Sequence, residues 1–314
     1  MSGPAPTLFV SSPIDAHTFL AEYWQQKPLV IRKALPGVEA RTDAEQLFKL
    51  AESEDVESRI VTQSNSSWRV IEGPFHPGVI NADEPCQSLL VQGVDLWSPP
   101  VAQLKEAFNF LPSWRIDDIM VSCASEDGGV GPHFDYYDVF LIQGEGKRRW
   151  ELGGSCDEHT ALIEGAPLKL LSDFKPIDEY ILEPGDVLYV PPGIAHNGTA
   201  IGHSITLSVG FRSPTRAELF DDLATDLLFE SANHHYRDPP LTLLDAGNEL
   251  QDAVVDQLQI LLKEVVNDRN RLADWFARYM TTPKYPDIET AVPEHREMHY
   301  QDRRYVNGFE DNAD

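Results

Sequence analysis

The central part of the chain, residues 116–211, is organised in short apolar runs that end at glycine or proline. Runs such as 139–142 and 187–190 contain only valine, isoleucine, leucine and aromatic residues, which favour strands in a buried sheet. Before this stretch, the apolar spacing predicts helices over 14–24, 42–54 and 101–110 and strands over 28–33, 57–63 and 67–72. The sequence therefore predicts a strand-rich core that follows a mixture of helices and strands.

The pattern becomes helical after Ser213-Pro214-Thr215, where a serine or threonine can cap a helix that opens at Arg216. Apolar residues then recur at intervals of three and four in the segments 219–228, 250–266 and 272–279. Three helices cannot easily bury this much apolar surface among themselves. We therefore predict that the helical region forms a homodimer interface.

These changes of pattern divide the chain into three parts. We predict a main, strand-rich domain over 1–213, a helical dimerisation domain over 214–283 and a tail over 284–314. The tail is polar and ends in Asn312-Ala313-Asp314, so we expect it to be loose.

Two histidines and one aspartate in the predicted core suggest a metal site. His133 and Asp135 are two residues apart, and such residues point to the same side of a strand. His196 follows the turn Pro191-Pro192-Gly193, which ends an apolar run. A His-x-Asp pair alone is more often a surface hydrogen bond, but the position of His196 after a stopped strand favours a metal. Two imidazoles and one carboxylate are the ligands of non-heme Fe(II) oxygenases.

A basic residue in the next predicted strand has an unusual position. In the segment 147–152, Arg148 shares one face with Trp150 and Leu152, whereas Lys147 and Arg149 are on the other. An inward arginine is costly unless it meets an anion. A dicarboxylate could supply that anion, because guanidinium binds carboxylate through two parallel hydrogen bonds. The alternative, a solvated basic stretch, suits the other two residues better.

The segments that contain these residues resemble those of the JmjC-type ribosomal oxygenases, and in particular of the bacterial members that hydroxylate an arginine. The similar segments include Gly131-Pro132-His133-Phe134-Asp135, residues 143–150 and residues 184–196. Residues 19–31, 114–120 and 208–212 are similar as well. The resemblance runs in order from about residue 14 to about residue 280.

The resemblance implies an α+β protein with a double-stranded β-helix core of the jelly-roll (JmjC/cupin) type. It implies Fe(II) as cofactor, with 2-oxoglutarate and O2 as co-substrates, and hydroxylation of a ribosomal protein side chain. His133, Asp135 and His196 would then be the catalytic iron ligands, and Arg148 would anchor the distal carboxylate of 2-oxoglutarate. Ser208, on the strand after His196, is a further candidate for the wall of that pocket.

One feature departs from the family pattern. The bacterial members carry a winged-helix domain after the helical region, whereas about thirty residues follow Pro283 here. We therefore expect the winged-helix domain to be truncated or absent.

An arginine substrate would call for a carboxylate and an aromatic face, because its guanidinium keeps its charge. Asp117 and Asp118 precede the predicted strand 119–122, and Tyr136 and Tyr137 follow Asp135. We expect one aspartate and one tyrosine to clamp the guanidinium. The alternative for each aspartate is that it ends the strand in solvent.

The net charge of −26 changes the picture of possible partners. It argues against direct binding of nucleic acid and favours a basic protein, such as a large-subunit ribosomal protein, although most carboxylates can serve solubility alone. We see no apolar run long enough for a membrane span and no signal peptide. The three widely spaced cysteines suggest reduced thiols, so we expect a cytoplasmic protein.

Three alternatives stay open at this point. The target could be a histidine of a ribosomal protein rather than an arginine. The barrel could belong to a non-oxygenase cupin that binds a metal, although such a protein has no need of an inward arginine. The chain could also be an inactive scaffold, although a scaffold has no need of three metal ligands.

Overall fold

The computed structural model describes residues 8–10, 12–64, 67–76, 85–229, 235–241 and 249–311. The parts of the predicted helical region at 230–234 and 242–248 lie outside the described residues. The chain divides into two compact units, Met1–Ser213 with Asp287–Glu294 and Pro214–Pro286 with His295–Asp314. Within the ranges described, no helix is long and apolar enough to cross a bilayer.

The first unit is built on one antiparallel sheet. Its order is β1-β8-β6-β9-β5-β4-β2-β3, and β7 pairs with β6 outside this path. The strands found among the described residues are β1 (Leu29–Ile31), β2 (Ser58–Ser64), β3 (Ser67–Glu72), β4 (Gln87–Val91), β5 (Ile116–Ala124), β6 (Val139–Ser155), β7 (Asp178–Leu182), β8 (Val187–Val190) and β9 (Ile194–Phe211).

Short helices accompany this sheet. They are α1 (Ala16–Glu22), α2 (Ala44–Leu50) and α3 (Pro99–Ala102), with 3-10 turns at Val38–Ala40, Val94–Leu96, Gln103–Phe108 and Ser113–Arg115. Asp15 and Asp43 cap α1 and α2 by accepting backbone N–H groups. The helix expected over 101–110 is mostly a 3-10 turn, so that expectation is corrected.

The ribbon formed by β6 and β9 bends sharply in the middle. The two strands pair from Val139 opposite Gly210 to Ser155 opposite Ile194, but the register shifts on both sides of Glu145. Gly146 lies at this break with a φ of +65°, and a Cβ atom there would overlap the carbonyl oxygen of His203. Glycine is therefore required where the ribbon changes direction.

The bend brings the two ends of β9 close together. His196 near its start bridges to His133, while a Cβ atom at Gly210 near its end would lie 4.0 Å from Cε2 of Tyr137. A straight strand would separate His196 from Gly210 by about 46 Å. His133 and Tyr137 can be at most about 14 Å apart along the chain. The sheet must therefore curl into a barrel with an interior, which we call the lumen.

Alternate residues of these strands enter two separate apolar clusters. Phe140 and Tyr189 belong to the larger cluster with Phe19 of α1, whose ring centroid lies 4.9 Å from that of Tyr189. Their neighbours Leu141 and Leu188 belong to the smaller cluster, which also contains Trp150 and Leu152. Because successive strand residues face opposite sides, the larger cluster lies under the helices and the smaller one lines the lumen.

Among its described residues, the second unit has the helices α4 (Arg216–Leu228), α5 (Asp252–Asn267) and α6 (Arg269–Thr281). Thr215 and Glu218 form a reciprocal capping box at the start of α4, which confirms the predicted helix start. Trp275 of α6 donates from Nε1 to Asp222 of α4 at 2.7 Å. Residues of α4 and α6 therefore hold the core of this unit together.

The C-terminal residues correct an expectation from the sequence. Instead of a loose tail, they form a three-stranded antiparallel sheet of β10 (Glu297–Tyr300), β11 (Arg303–Val306) and β12 (Phe309–Asp311). Asn307 and Gly308 both have positive φ, as tight hairpins require. Tyr305 is fully buried and donates to Asp274 Oδ1 at 3.0 Å. Burial of this side chain is the reason that a polar segment is ordered here.

Candidate active site

His133, Asp135 and His196 come together at the mouth of the lumen. Their potential ligand atoms all lie within 4.8 Å of one another. His196 Nε2 is 3.6 Å from Asp135 Oδ2, and His133 Nε2 is 4.0 Å from the same oxygen. The structure thus groups the three residues that the sequence analysis singled out.

Backbone contacts fix the orientation of both imidazoles. His133 and His196 exchange backbone hydrogen bonds of 3.0 and 2.8 Å. His133 Nδ1 lies 2.8 Å from the carbonyl oxygen of Gly131, and His196 Nδ1 lies 2.9 Å from that of Ile194. A carbonyl can only accept, so each Nδ1 carries the proton and each Nε2 presents a lone pair to the shared centre.

Burial also keeps His196 in the form that binds a cation. Desolvation, followed by the charge of His133, lowers the pKa of His196 to about 4, against the opposing effect of Asp135. The imidazole is therefore neutral near pH 7. Two imidazoles and one carboxylate form a donor set that fits Fe(II).

Arg148 lies inside the lumen, as the alternation along β6 predicted. It is 5% exposed, whereas Arg149 beside it is exposed. Its Nη1 donates to Ser122 Oγ at 3.3 Å, but Nε and Nη2 have no hydrogen-bond partner among the described residues. Desolvation lowers the pKa of Arg148 to about 10, so it stays charged at neutral pH. A buried cation with unused donors fits an anionic ligand.

Trp150 connects the arginine with the histidines. Its ring lies 5.9 Å from the guanidinium carbon of Arg148, and the centroids of its ring and the His196 ring are 6.0 Å apart. Gly198 makes room for this ring, since a Cβ atom there would come within 2.6 Å of it. The lumen thus holds a continuous wall from the three candidate ligands to the buried cation.

One of the two predicted aspartates lies near the mouth. Asp118 is buried and accepts from Gln92 Nε2 at 2.7 Å through Oδ2. A Cβ atom at Gly210 would lie 4.0 Å from both Asp118 Oδ1 and the ring of Tyr137. Tyr137 also forms a hydrogen bond with Asp135. Asp118 and Tyr137 therefore lie close to each other, and Tyr137 lies next to the candidate ligand Asp135.

The Tyr137 hydroxyl is the desolvated end of a side chain that is 40% exposed. Desolvation, then the charge of Asp135 and the hydrogen bond to it, raise the pKa of Tyr137 above its usual range. The phenol therefore stays protonated and donates a hydrogen bond to the carboxylate of Asp135.

Asp117 and Tyr136 have other surroundings. Asp117 accepts from Arg212 Nε at 3.3 Å, so its charge is already compensated. Tyr136 is 53% exposed and packs edge-on against Phe134, with ring centroids 5.1 Å apart. Neither residue is brought to the group formed by Asp118 and Tyr137.

Ser208 is largely buried on β9, opposite Met120 of β5 and Leu141 of β6. It follows Thr206 on the same face, and Thr206 is paired with Ser122, the residue that contacts Arg148. The sequence analysis missed Ser122 and Gln92. Strand alternation could have placed Ser122 inward, but only the pairing register reveals its contact with Arg148.

Comparison with known proteins agrees with this architecture. A JmjC domain model matches residues 103–219. The chain is 36% identical over 286 residues to the ribosomal protein uL16 3-hydroxylase of Escherichia coli K12, which covers 88% of this chain and 74% of that protein. It is 40% identical over 233 residues to a probable ribosomal oxygenase of Haemophilus influenzae, with coverage of 73% and 56%.

Solved structures give the same result. The crystal structure of E. coli YcfD superposes with a TM-score of 0.86 at 31% identity, over 96% of this chain and 87% of that one. YcfD in complex with cobalt and 2-oxoglutarate superposes with a TM-score of 0.83 at 31% identity, over 96% and 86%. The fold is therefore the double-stranded β-helix of JmjC and cupin proteins.

The chain belongs to the JmjC-type ribosomal oxygenase family. It is a 2-oxoglutarate-dependent dioxygenase whose cofactor is Fe(II) and whose co-substrates are 2-oxoglutarate and O2. The alternatives of a non-oxygenase cupin and an inactive scaffold are thereby set aside.

Proposed function

We propose that this enzyme hydroxylates an arginyl side chain of a basic large-subunit ribosomal protein in the cytoplasm. The observation that carries the proposal is one lumen that holds three candidate metal ligands, a buried guanidinium, Arg148, and a buried carboxylate, Asp118. The names of the relatives from E. coli and H. influenzae support a ribosomal protein as substrate. The net charge of −26 supports a basic one.

His133, Asp135 and His196 are the proposed iron ligands. When bound there, Fe(II) supplies the activation of O2 that hydroxylation of an unactivated carbon requires. The chain's own contribution is to hold both Nε2 atoms and Asp135 Oδ2 toward one point before the metal arrives. This preorganisation lowers the cost of binding the metal.

Arg148 is the proposed anchor for the distal carboxylate of 2-oxoglutarate. Its Nε and Nη2 can donate two parallel hydrogen bonds to one carboxylate, and Ser122 holds Nη1 in place. Trp150 packs beside the guanidinium and excludes water from this end of the lumen. Ser208 is retained as a candidate for the wall of the same pocket.

Asp118 and Tyr137 are the proposed clamp for the arginine of the substrate. Asp118 Oδ1 can accept from the guanidinium, while Gln92 fixes the carboxylate through Oδ2. The Tyr137 ring offers an aromatic face, and its hydrogen bond to Asp135 links that ring to the metal group. We leave Asp117 and Tyr136 out of the clamp because their side chains contact Arg212 and Phe134 instead.

The second unit carries the proposed dimer interface. Helix α5 buries none of its residues, and Val255, Leu258, Leu262 and Val266 are 37–66% exposed. These positions lie on one face of the helix, where an apolar stripe of this length is typical of a helix–helix contact. Leu261 and Val265, which the sequence placed on the interface with Leu258, border this stripe.

The metal assignment is tested by Asp135→Ala. This variant loses the only negative charge of the three ligands, so we expect no binding of Co(II) in calorimetry and no succinate formation with Fe(II) and 2-oxoglutarate. Asp173→Ala, at an exposed carboxylate paired with Lys175, is the matched control and should behave as the parent. Undiminished turnover of Asp135→Ala would exclude Asp135 as a ligand.

The co-substrate assignment is tested by Arg148→Ala. Loss of a buried charge-assisted pair costs about 3–5 kcal/mol, so the KM for 2-oxoglutarate should rise by about a hundredfold or more. Binding of Co(II) should persist, because Arg148 contacts none of the three candidate ligands. Arg149→Ala, one residue away and exposed, should leave the KM unchanged. An unchanged KM in Arg148→Ala would assign the carboxylate to another residue.

The substrate assignment is tested with synthetic peptides that contain one arginine. Asp118→Asn removes the charge from the clamp, so less hydroxylated peptide should form per succinate, and the peptide KM should rise by about tenfold. Asp117→Asn is the matched control and should have a much smaller effect, since Asp117 already pairs with Arg212. An enzyme that modifies histidine peptides and ignores arginine peptides would refute the arginine assignment but not the oxygenase.

The dimer is tested by light scattering on the unmodified chain and on charged variants of α5. Leu258→Glu with Leu262→Glu should give a folded monomer, because both side chains are exposed and their change does not disturb the core. Ile260→Glu introduces the same charge at an exposed position on the opposite face and should leave the dimer intact. A monomeric parent protein would disprove the interface.

A further inference from the structure

A second pocket of about 350 Å³ lies beside the candidate active site. Backbone of Gly129, Gly131 and Pro132 forms part of its wall. The side chains that define its chemistry are those of Gln63, Trp68, Cys86, Asp127, Asn197 and Thr199.

The pocket is separate from the lumen but adjoins two of the candidate ligands. Asn197 and Thr199 alternate on β9 with His196 and Gly198, which face the lumen. Asn197 donates to Glu151 at 2.9 Å on the outer side of the same ribbon. Gly131 lies in the pocket wall, and its carbonyl oxygen orients His133. Two residues along a strand correspond to about 7 Å, so the pocket and the metal group are close neighbours.

The lining of the pocket is suited to a cation. Among the residues that the structure describes, the lining offers one carboxylate, two amides, a hydroxyl and an indole, and it includes no lysine or arginine. No ion-pair partner of Asp127 is found in the part of the chain that the structure describes. The backbone of this residue is fixed, since its N–H donates to the carbonyl of Ala200 at 3.2 Å. A fixed, uncompensated carboxylate at a pocket wall attracts positive charge.

Trp68 forms another part of the pocket wall. A Cβ atom at Gly131 would come within 2.7 Å of the Trp68 ring, so the two segments are in close contact. The indole ring is the aromatic face that binds ammonium and guanidinium groups best. The exposed carboxylate of Asp127 and the half-buried ring of Trp68 therefore offer a charge and an aromatic face to a cationic side chain that enters the pocket.

We propose that this pocket binds the ammonium or guanidinium group of a second basic residue of the polypeptide substrate, close in sequence to the residue that is hydroxylated. The inference rests on the proposed function, because it assumes a basic polypeptide as substrate. Gly131 in the pocket wall and His133 are two positions apart, which places their backbones at most about 7 Å from each other, and residues two apart in an extended peptide have the same spacing. The pocket would thus select the sequence around the target.

The test uses two synthetic peptides with one arginine each. In the first, lysine stands two residues from the arginine, and in the second norleucine replaces it and removes only the charge. The parent enzyme should show a KM about fivefold lower for the lysine peptide, with the same kcat. Asp127→Asn should abolish this preference and is expected to fold, because asparagine tolerates the positive φ of this position. Asp173→Asn, at an exposed carboxylate elsewhere, should retain it.

Cys86 provides a readout that does not depend on catalysis. Its thiol lines the pocket and is partly exposed, so iodoacetamide should modify it at a rate that mass spectrometry can follow. The lysine peptide should slow this modification in the metal-free protein, and the norleucine peptide should not. In Asp127→Asn, neither peptide should protect Cys86.

The outcomes separate this proposal from the proposed function. Equal KM values for the two peptides, or equal modification of Cys86 with either peptide, would overturn the second site while arginine hydroxylation stands. A preference that persists in Asp127→Asn would also overturn it. If neither arginine peptide is hydroxylated, the proposed substrate is wrong, and protection of Cys86 by the lysine peptide alone would still support the pocket.

Discussion

The bend of the paired strands β6 and β9 is the constraint on which the rest of the site depends. At Gly146 the ribbon turns where any side chain would collide with His203. The turn carries the second half of β6 over the sheet, so that Arg148 reaches Ser122 of β5. It also brings the start of β9, with His196, near its end at Gly210. Without the bend, the metal group and the buried cation would lie on two distant parts of one flat sheet.

Burial of the Arg148 guanidinium in the closed lumen is energetically costly, and this cost is related to how the site binds its co-substrate. A guanidinium removed from water with unused donors costs on the order of several kcal/mol. The fold tolerates this cost because large apolar side chains, among them Trp150 and Leu188, surround the lumen. A dicarboxylate ligand can accept hydrogen bonds from Nε and Nη2 of Arg148, so the burial that makes this side chain costly also strengthens binding of the co-substrate.

Three aspartates of the first unit have different roles because of their contacts. Asp138 is fully buried and accepts from Tyr189 at 2.6 Å and from Gln25 at 3.0 Å, so it anchors the segment that follows the metal group. Asp135, three residues earlier, keeps Oδ2 directed at the histidines. Asp118 accepts a hydrogen bond from Gln92 and lies near the mouth. The role of each carboxylate thus depends on its burial and its hydrogen-bond partners, and not on its position in a motif.

By itself, the sequence determined the features that depend on local spacing. The two-residue interval of His133 and Asp135, the turn before His196 and the alternation that turns Arg148 inward all follow from strand geometry. The pair Asn307-Gly308 is also a local signal for a hairpin, and the prediction of a loose tail did not take it into account.

Tertiary structure alone decided which aspartate joins the site, because the pairing of β5 and the contacts of Arg212 and Gln92 come from residues distant in sequence. The bend and register of the sheet likewise determine the partner of Arg148 and the pocket around Asp127. They join residues that are far apart in sequence, so a local sequence pattern cannot predict these contacts.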